Sequence, residues 1–145
     1  PAAILHDHYS KSVRPVRGWY QTQQMFHEVL IVSGVSESKA AVLFAGVLNG
    51  SGKWLEAEAE AGKSCPTIRG VSCINADTPG GAILIRQPSS FGTPEYNELY
   101  DAARTQILSD GLTDPIPILE LIRELSPNDI YFENTGGTLG GAQEF

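Results

Sequence analysis

Residues 80–134 read GGAILIRQPSSFGTPEYNELYDAARTQILSDGLTDPIPILELIRELSPNDIYFEN. The apolar run at 81–86 predicts a strand. Thr93 is a natural N-cap and Pro94 falls at the first helical position, where its missing N–H costs nothing. Glu95 complements the helix dipole. Tyr96, Leu99, Tyr100, Ala103 and Ile107 share one helical face, and Gly111 ends the pattern. Ile118, Leu121, Ile122 and Leu125 mark a second, short amphipathic helix over 114–125. Residues 129–133, entered through Ser126-Pro127-Asn128, predict a final strand. If the two strands are parallel neighbours, the stretch is one βαβ unit with a right-handed crossover.

Working outward, the front of the chain reads the same way. Residues 2–9 predict a strand, with Ala3, Leu5 and Asp7 on one face and Ile4, His6 and His8 on the other. Residues 10–18 form a basic connection. Trp19, Phe26, Val29, Leu30 and Ser33 fall near one stripe of a helix over 19–33, with Gln21, Gln23, Gln24 and Glu28 outside it, and Gly34 closes it. Residues 39–48 are apolar on both faces, as a central strand covered on both sides would be. The expected fold class is α+β: two βαβ units forming a mixed sheet, with two main helices packed on one face, in a single domain over residues 1–145.

Between the two units, Asn49-Gly50-Ser51-Gly52 predicts a turn. Over 53–61, Trp54, Glu56, Glu58 and Glu60 alternate with Leu55, Ala57, Ala59 and Ala61. That suits a half-buried strand, with a helix as competitor because Ala and Glu are good helix formers. Residues 62–80 hold Pro66, Pro79 and both cysteines and predict an irregular segment.

Composition bounds the function. A net charge of −7 argues against general nucleic-acid binding. An anionic substrate would need local arginines to hold it. Cys65 and Cys73 are too few for a disulfide scaffold and predict free thiols. The longest apolar runs are too short to span a bilayer, so a cytoplasmic protein is expected.

Gly62-Lys63-Ser64 echoes a phosphate-binding loop, but Ala57 stands where the required glycine should be, and no helix follows. His6 and His8 on one strand face, completed by Glu133, would suggest a metal site; two histidines favour a polar edge-strand pair instead. His27, beside Phe26, is a candidate for substrate contact, with a half-buried structural histidine as the alternative.

Pro1 carries a secondary amine. An α-amino group has a pKa of roughly 7.7–8.0, and burial lowers it. Such a group can serve as general base at neutral pH. The alternative is that Pro1 is only where the numbering begins.

Pro1 with its apolar run, Gln21–Gln24 leading to Ser33-Gly34, Phe91-Gly92-Thr93-Pro94-Glu95-Tyr96, and above all Ser126-Pro127-Asn128-Asp129-Ile130-Tyr131-Phe132-Glu133 resemble the tautomerase superfamily. The resemblance implies a homotrimer without metal or cofactor, acting on a small anionic substrate such as a 2-oxo, enol or unsaturated carboxylic acid. It implies Pro1 as catalytic base or acid, with Tyr131 and Glu133 reaching the pocket and Ile85 lining it. Arg86 is the first candidate for the substrate carboxylate, with Arg14, Arg17 and Arg69 as alternates. Against that family pattern, 62–80 and 110–125 are insertions and 135–145 is a glycine-rich tail. The rival expectation is a non-catalytic binding or assembly module in which Pro1 is incidental.

Overall fold

The computed structural model describes residues 2–10, 18–58, 72–75, 82–129 and 131–132. Over these residues the chain forms five helices and three strands. The helices are α1 (Ala2–Ser10), α2 (Trp19–Val32), α3 (Glu37–Gly50), α4 (Pro94–Asp110) and α5 (Pro115–Leu125). The strands are β1 (Lys53–Glu58), β2 (Ser72–Asn75) and β3 (Ala82–Gln87), in one sheet of order β1-β3-β2. Both pairings are antiparallel, Trp54 lying opposite Arg86 and Cys73 opposite Ile85.

This corrects the expected pair of βαβ units. Residues 2–9 and 40–47 are helical, and Tyr131 and Phe132 are in a helical turn rather than a strand. Residues 81–86 do supply a strand, but it pairs antiparallel with β1 and β2. The segment expected to be irregular over 62–80 contains β2.

The physical reason is clearest in α3. From Ala40 to Leu48 its sequence is apolar on every side, and the helix packs against α2, α4 and α5. Ala40, Ala41, Phe44, Ala45, Gly46 and Leu48 are all buried. The residues on its less buried side, Val42, Leu43 and Val47, are apolar too, so no polar face marks the helical period, and a short apolar run then looks the same as a central strand. Three alanines favour the helix. Gly50 permits a close approach: a Cβ there would lie 2.3 Å from the Phe91 ring and 2.6 Å from Tyr96. The 88–93 segment is pinned over that point, Ser89 Oγ donating to the Gly50 carbonyl at 2.7 Å and Ser90 Oγ to Asn49 at 3.0 Å.

The better-signposted helices form as their ends dictate. Thr93 Oγ1 accepts the Tyr96 N–H at 3.1 Å, and Gly111 closes α4 in the left-handed region at φ 64°. In α5, Ile118, Leu119, Leu121 and Ile122 are buried, while Glu120 and Glu124 face solvent and Ile116 is exposed at the helix start. The four buried residues join Trp19, Phe44, Leu48, Trp54, Ala103, Ile107, Tyr131 and Phe132 in the main core. A smaller cluster, Ala2, Phe26, Leu30 and Ala40, fastens the start of α1 to the end of α2. No helix among the described residues is long and apolar enough to cross a membrane.

Candidate functional site

The helical reassignment of the N-terminal segment moves its histidines. On a strand, His6 and His8 would share a face; on α1 they are about 200° apart. His6 is buried and His8 exposed. The expected two-histidine face is therefore absent. Among the described residues, no group of three or more His, Cys, Asp or Glu is placed to hold a metal ion.

Burying His6 creates a different arrangement. Its Nε2 donates to Gln23 Oε1 at 2.8 Å, across the α1–α2 contact. Its ring stands edge-on to Phe26, with centroids 5.3 Å apart. Nδ1 lies 4.0 Å from the carboxylate of Asp7, which is largely exposed. Gln23 is completely buried, yet its Nε2 has no hydrogen-bond partner. One helical turn further along α2, His27 is 8% exposed and its Nε2 is likewise unpartnered. The His27 ring packs against Phe44 of α3, with centroids 5.1 Å apart. Burial holds the His27 imidazole below its ordinary pKa, opposed by the carboxylates of Glu28 and Asp114.

Residues four apart on a helix are neighbours, with Cβ atoms about 5–6 Å apart. Gln23 and His27 thus present two polar atoms to adjoining parts of the interior. Leaving a buried donor or acceptor unmet costs about 1–3 kcal/mol. An imidazole and a carboxamide at such a position can bind a small polar group, and the imidazole can pass a proton to or from it.

A second buried polar cluster lies at the start of β1. Lys53, 4% exposed, donates from Nζ to Asp129 Oδ2 at 2.7 Å. Its ammonium lies 5.4 Å from the centre of the Trp19 ring and 5.7 Å from that of Phe132. Asp129 Oδ1 accepts the Tyr131 N–H at 2.9 Å. Gln87, opposite Lys53 in the β1–β3 ladder, approaches Asp129 Oδ2 at 3.5 Å. This cluster ties the segment after α5 to the edge of the sheet.

Of the expected site residues, Tyr131, Arg86, Ile85 and His27 fall among the described residues. Tyr131 is buried against Trp19, with ring centroids 4.6 Å apart. Burial, reinforced by Asp129 and Tyr20, pushes its phenol up to about 12. Arg86 and Ile85 belong to β3, the central strand. Pro1, Arg14, Arg17, Arg69 and Glu133 lie outside the described residues, as do Cys65 and the 135–145 tail. Among these candidates His27 carries a buried unmet atom of its own, one helical turn from that of Gln23.

Gln23 was missed because it was assigned to the polar side of its helix. The signal was present: Trp19, Gln23, Phe26 and Leu30 have the spacing of a single buried stripe. A polar residue in phase with three large apolar ones marks a buried polar position. The burial of His6 had no comparable signal while its segment was read as a strand.

No family model matches the chain, and no solved structure matches it. The chain is similar to an uncharacterized protein, y4iH, of Sinorhizobium fredii, with 31% identity over 83 residues. The match covers 54% of this chain and 34% of that protein, so the chain spans about a third of the length of the curated relative it matches.

Proposed function

We propose that this domain binds a small molecule in the interior between α1, α2 and α3, and that His6 and His27 are its proton-handling groups. The observation that carries this reading is the pair of buried, unpartnered atoms, Gln23 Nε2 and His27 Nε2, on adjoining turns of one helix. Interiors rarely leave such groups unmet without a reason. His6 adds a second imidazole whose ring is oriented by Gln23, as a partner residue commonly orients an acid–base group. The Pro1-centred reaction implied by the tautomerase resemblance required a pair of βαβ units, and nothing in the helical arrangement favours it.

The test is nitrogen-resolved NMR of the ring and side-chain amide signals during titration with small oxo acids, hydroxyl compounds and carboxamides. A ligand of this site moves the His27 ring and Gln23 amide signals together and saturably, and His27→Leu removes the response. If no compound moves either signal, the cluster is only a polar part of the core, satisfied by buried water.

A second reading, self-association, has its own observation. Ile4 is 75% exposed and Val32 is 88% exposed. Because Ala2 clusters with Leu30, the start of α1 and the end of α2 lie at the same end of the molecule. Light scattering should then report more than one copy at micromolar concentration, and Val32→Asp should shift the population to monomer. A wild type that is monomeric throughout that range would end this reading.

A further inference from the structure

Resting on the ligand site just proposed, we infer that its guest is an uncharged molecule carrying both a hydrogen-bond donor and an acceptor, such as a hydroxyl compound or a carboxamide, and not a carboxylate. The wall chemistry makes the choice. Gln23 is held through its carbonyl, which accepts from His6, so its NH2 group is the part left to meet a guest. That group can only donate. The His27 Nε2 accepts in one neutral tautomer and donates in the other. A guest with both functions satisfies the pair in either tautomer. A carboxylate, which only accepts, leaves the first tautomer unmet.

Charge points the same way. The groups acting on the His27 imidazole are the carboxylates of Glu28 and Asp114, and Asp7 stands beside His6. These carboxylates are exposed at the surface and offer an anion no positive partner, so entering the interior would cost it its hydration uncompensated. Burial disfavours the imidazolium that would be needed to offset it. Phe26 and Phe44, packed on the two imidazoles, suit the apolar remainder of a small neutral guest.

Acetamide and acetate separate the alternatives, because they have nearly the same shape and differ in charge and in donor capacity. With the full chain at pH 7, acetamide should shift the Gln23 side-chain amide and the His27 ring nitrogens in a saturable way. Acetate at equal concentration and ionic strength should leave them in place. Gln23→Met and His27→Leu should each abolish the acetamide response, and either variant suffices if the other folds poorly. Shifts with acetate but not acetamide overturn the inference and leave the ligand site standing. Silence from acetamide, acetate and the wider set of compounds, with cross-relaxation from a long-lived water at the Gln23 amide, overturns both.

Discussion

Two of the polar clusters buried among the described residues are built to opposite specifications. The Lys53 cluster is closed: ammonium and carboxylate meet at 2.7 Å, the second carboxylate oxygen takes a backbone N–H, and aromatic rings cover the cation. Its exception is Gln87, whose carbonyl oxygen is unpartnered. The α1–α2 cluster is open. His6 donates to the Gln23 carbonyl, while Gln23 and His27 each keep a buried polar atom unmet. A closed cluster fixes geometry at its own site. An open one retains unspent hydrogen-bonding capacity, and that capacity is where a ligand can gain binding energy. Burial alone does not distinguish the two, since Lys53 is as deeply buried as either histidine.

The sharpest way to break this contrast is to open the closed cluster. Asp129→Ala leaves the Lys53 ammonium buried without its counter-charge, a change that costs about 3–5 kcal/mol. Chemical denaturation should show a loss of that size. Replacing both partners, as Lys53→Met with Asp129→Leu, should recover most of it, because two apolar groups of similar volume need no partners. If the double variant is as unstable as Asp129→Ala, the cluster does more than hold the segment after α5 in place.

Cutting the internal bond of the open cluster should cost less. Gln23→Leu takes the acceptor from His6 Nε2 but also removes an unmet NH2 group, and these effects oppose one another. A net loss of about 1–2 kcal/mol is expected. A loss comparable with that of Asp129→Ala would mean that His6 and Gln23 belong to a network as closed as the first.

The contrast also separates what was legible in the sequence from what was not. The helices α2, α4 and α5 carry their own punctuation: Gly34 after α2, Thr93-Pro94 and Gly111 around α4, Asp114-Pro115 before α5. The strands β1 and β3 were visible as alternation and as an apolar run. The interior of α3 was not, because its outward-facing Val42, Leu43 and Val47 are as apolar as its buried side and hide the period. Nor was α1, which turns His6 inward and leaves Ile4 and Leu5 exposed, the reverse of an amphipathic helix. With these two segments read as strands, the chain predicts two βαβ units, and the antiparallel β1-β3-β2 sheet does not follow from that reading. Gln23 and His27 both lie on α2, and it is the packing of α1 against Gln23 and of α3 against His27 that buries their unmet atoms.

An open cluster also predicts that polarity can be removed from it with profit. His27→Leu replaces an imidazole that has an unmet nitrogen with an apolar side chain of similar size, next to Phe44. The folded state should gain about 1 kcal/mol, because a buried polar atom without a partner is lost. For a domain of this length that corresponds to a rise of roughly 3 °C in Tm. Stabilisation combined with loss of the ligand response is the pattern of a residue kept for function at some expense to the fold. Destabilisation by 1 kcal/mol or more would show that the imidazole is already satisfied.

The smallest expected effect is the dependence of that gain on pH. Burial lowers the His27 pKa in the folded protein from its ordinary value of 6.5. Above 6.5 the imidazole is neutral in both states and contributes no slope. As pH falls through 6.5 the unfolded chain takes up the proton first, so stability drops, and it continues to drop until the lower folded pKa is passed. The substitution removes the His27 imidazole and no other ionisable group, so the difference between the two proteins isolates His27. Urea midpoints at pH 8 and pH 5.5 should show His27→Leu further ahead of the wild type at the acid end. If the advantage is the same at both pH values, the imidazole accepts a proton as readily inside the fold as outside it. His27 would then have a charge-stabilising partner, the α1–α2 cluster would be as closed as the one around Lys53, and a carboxylate guest would again be admissible.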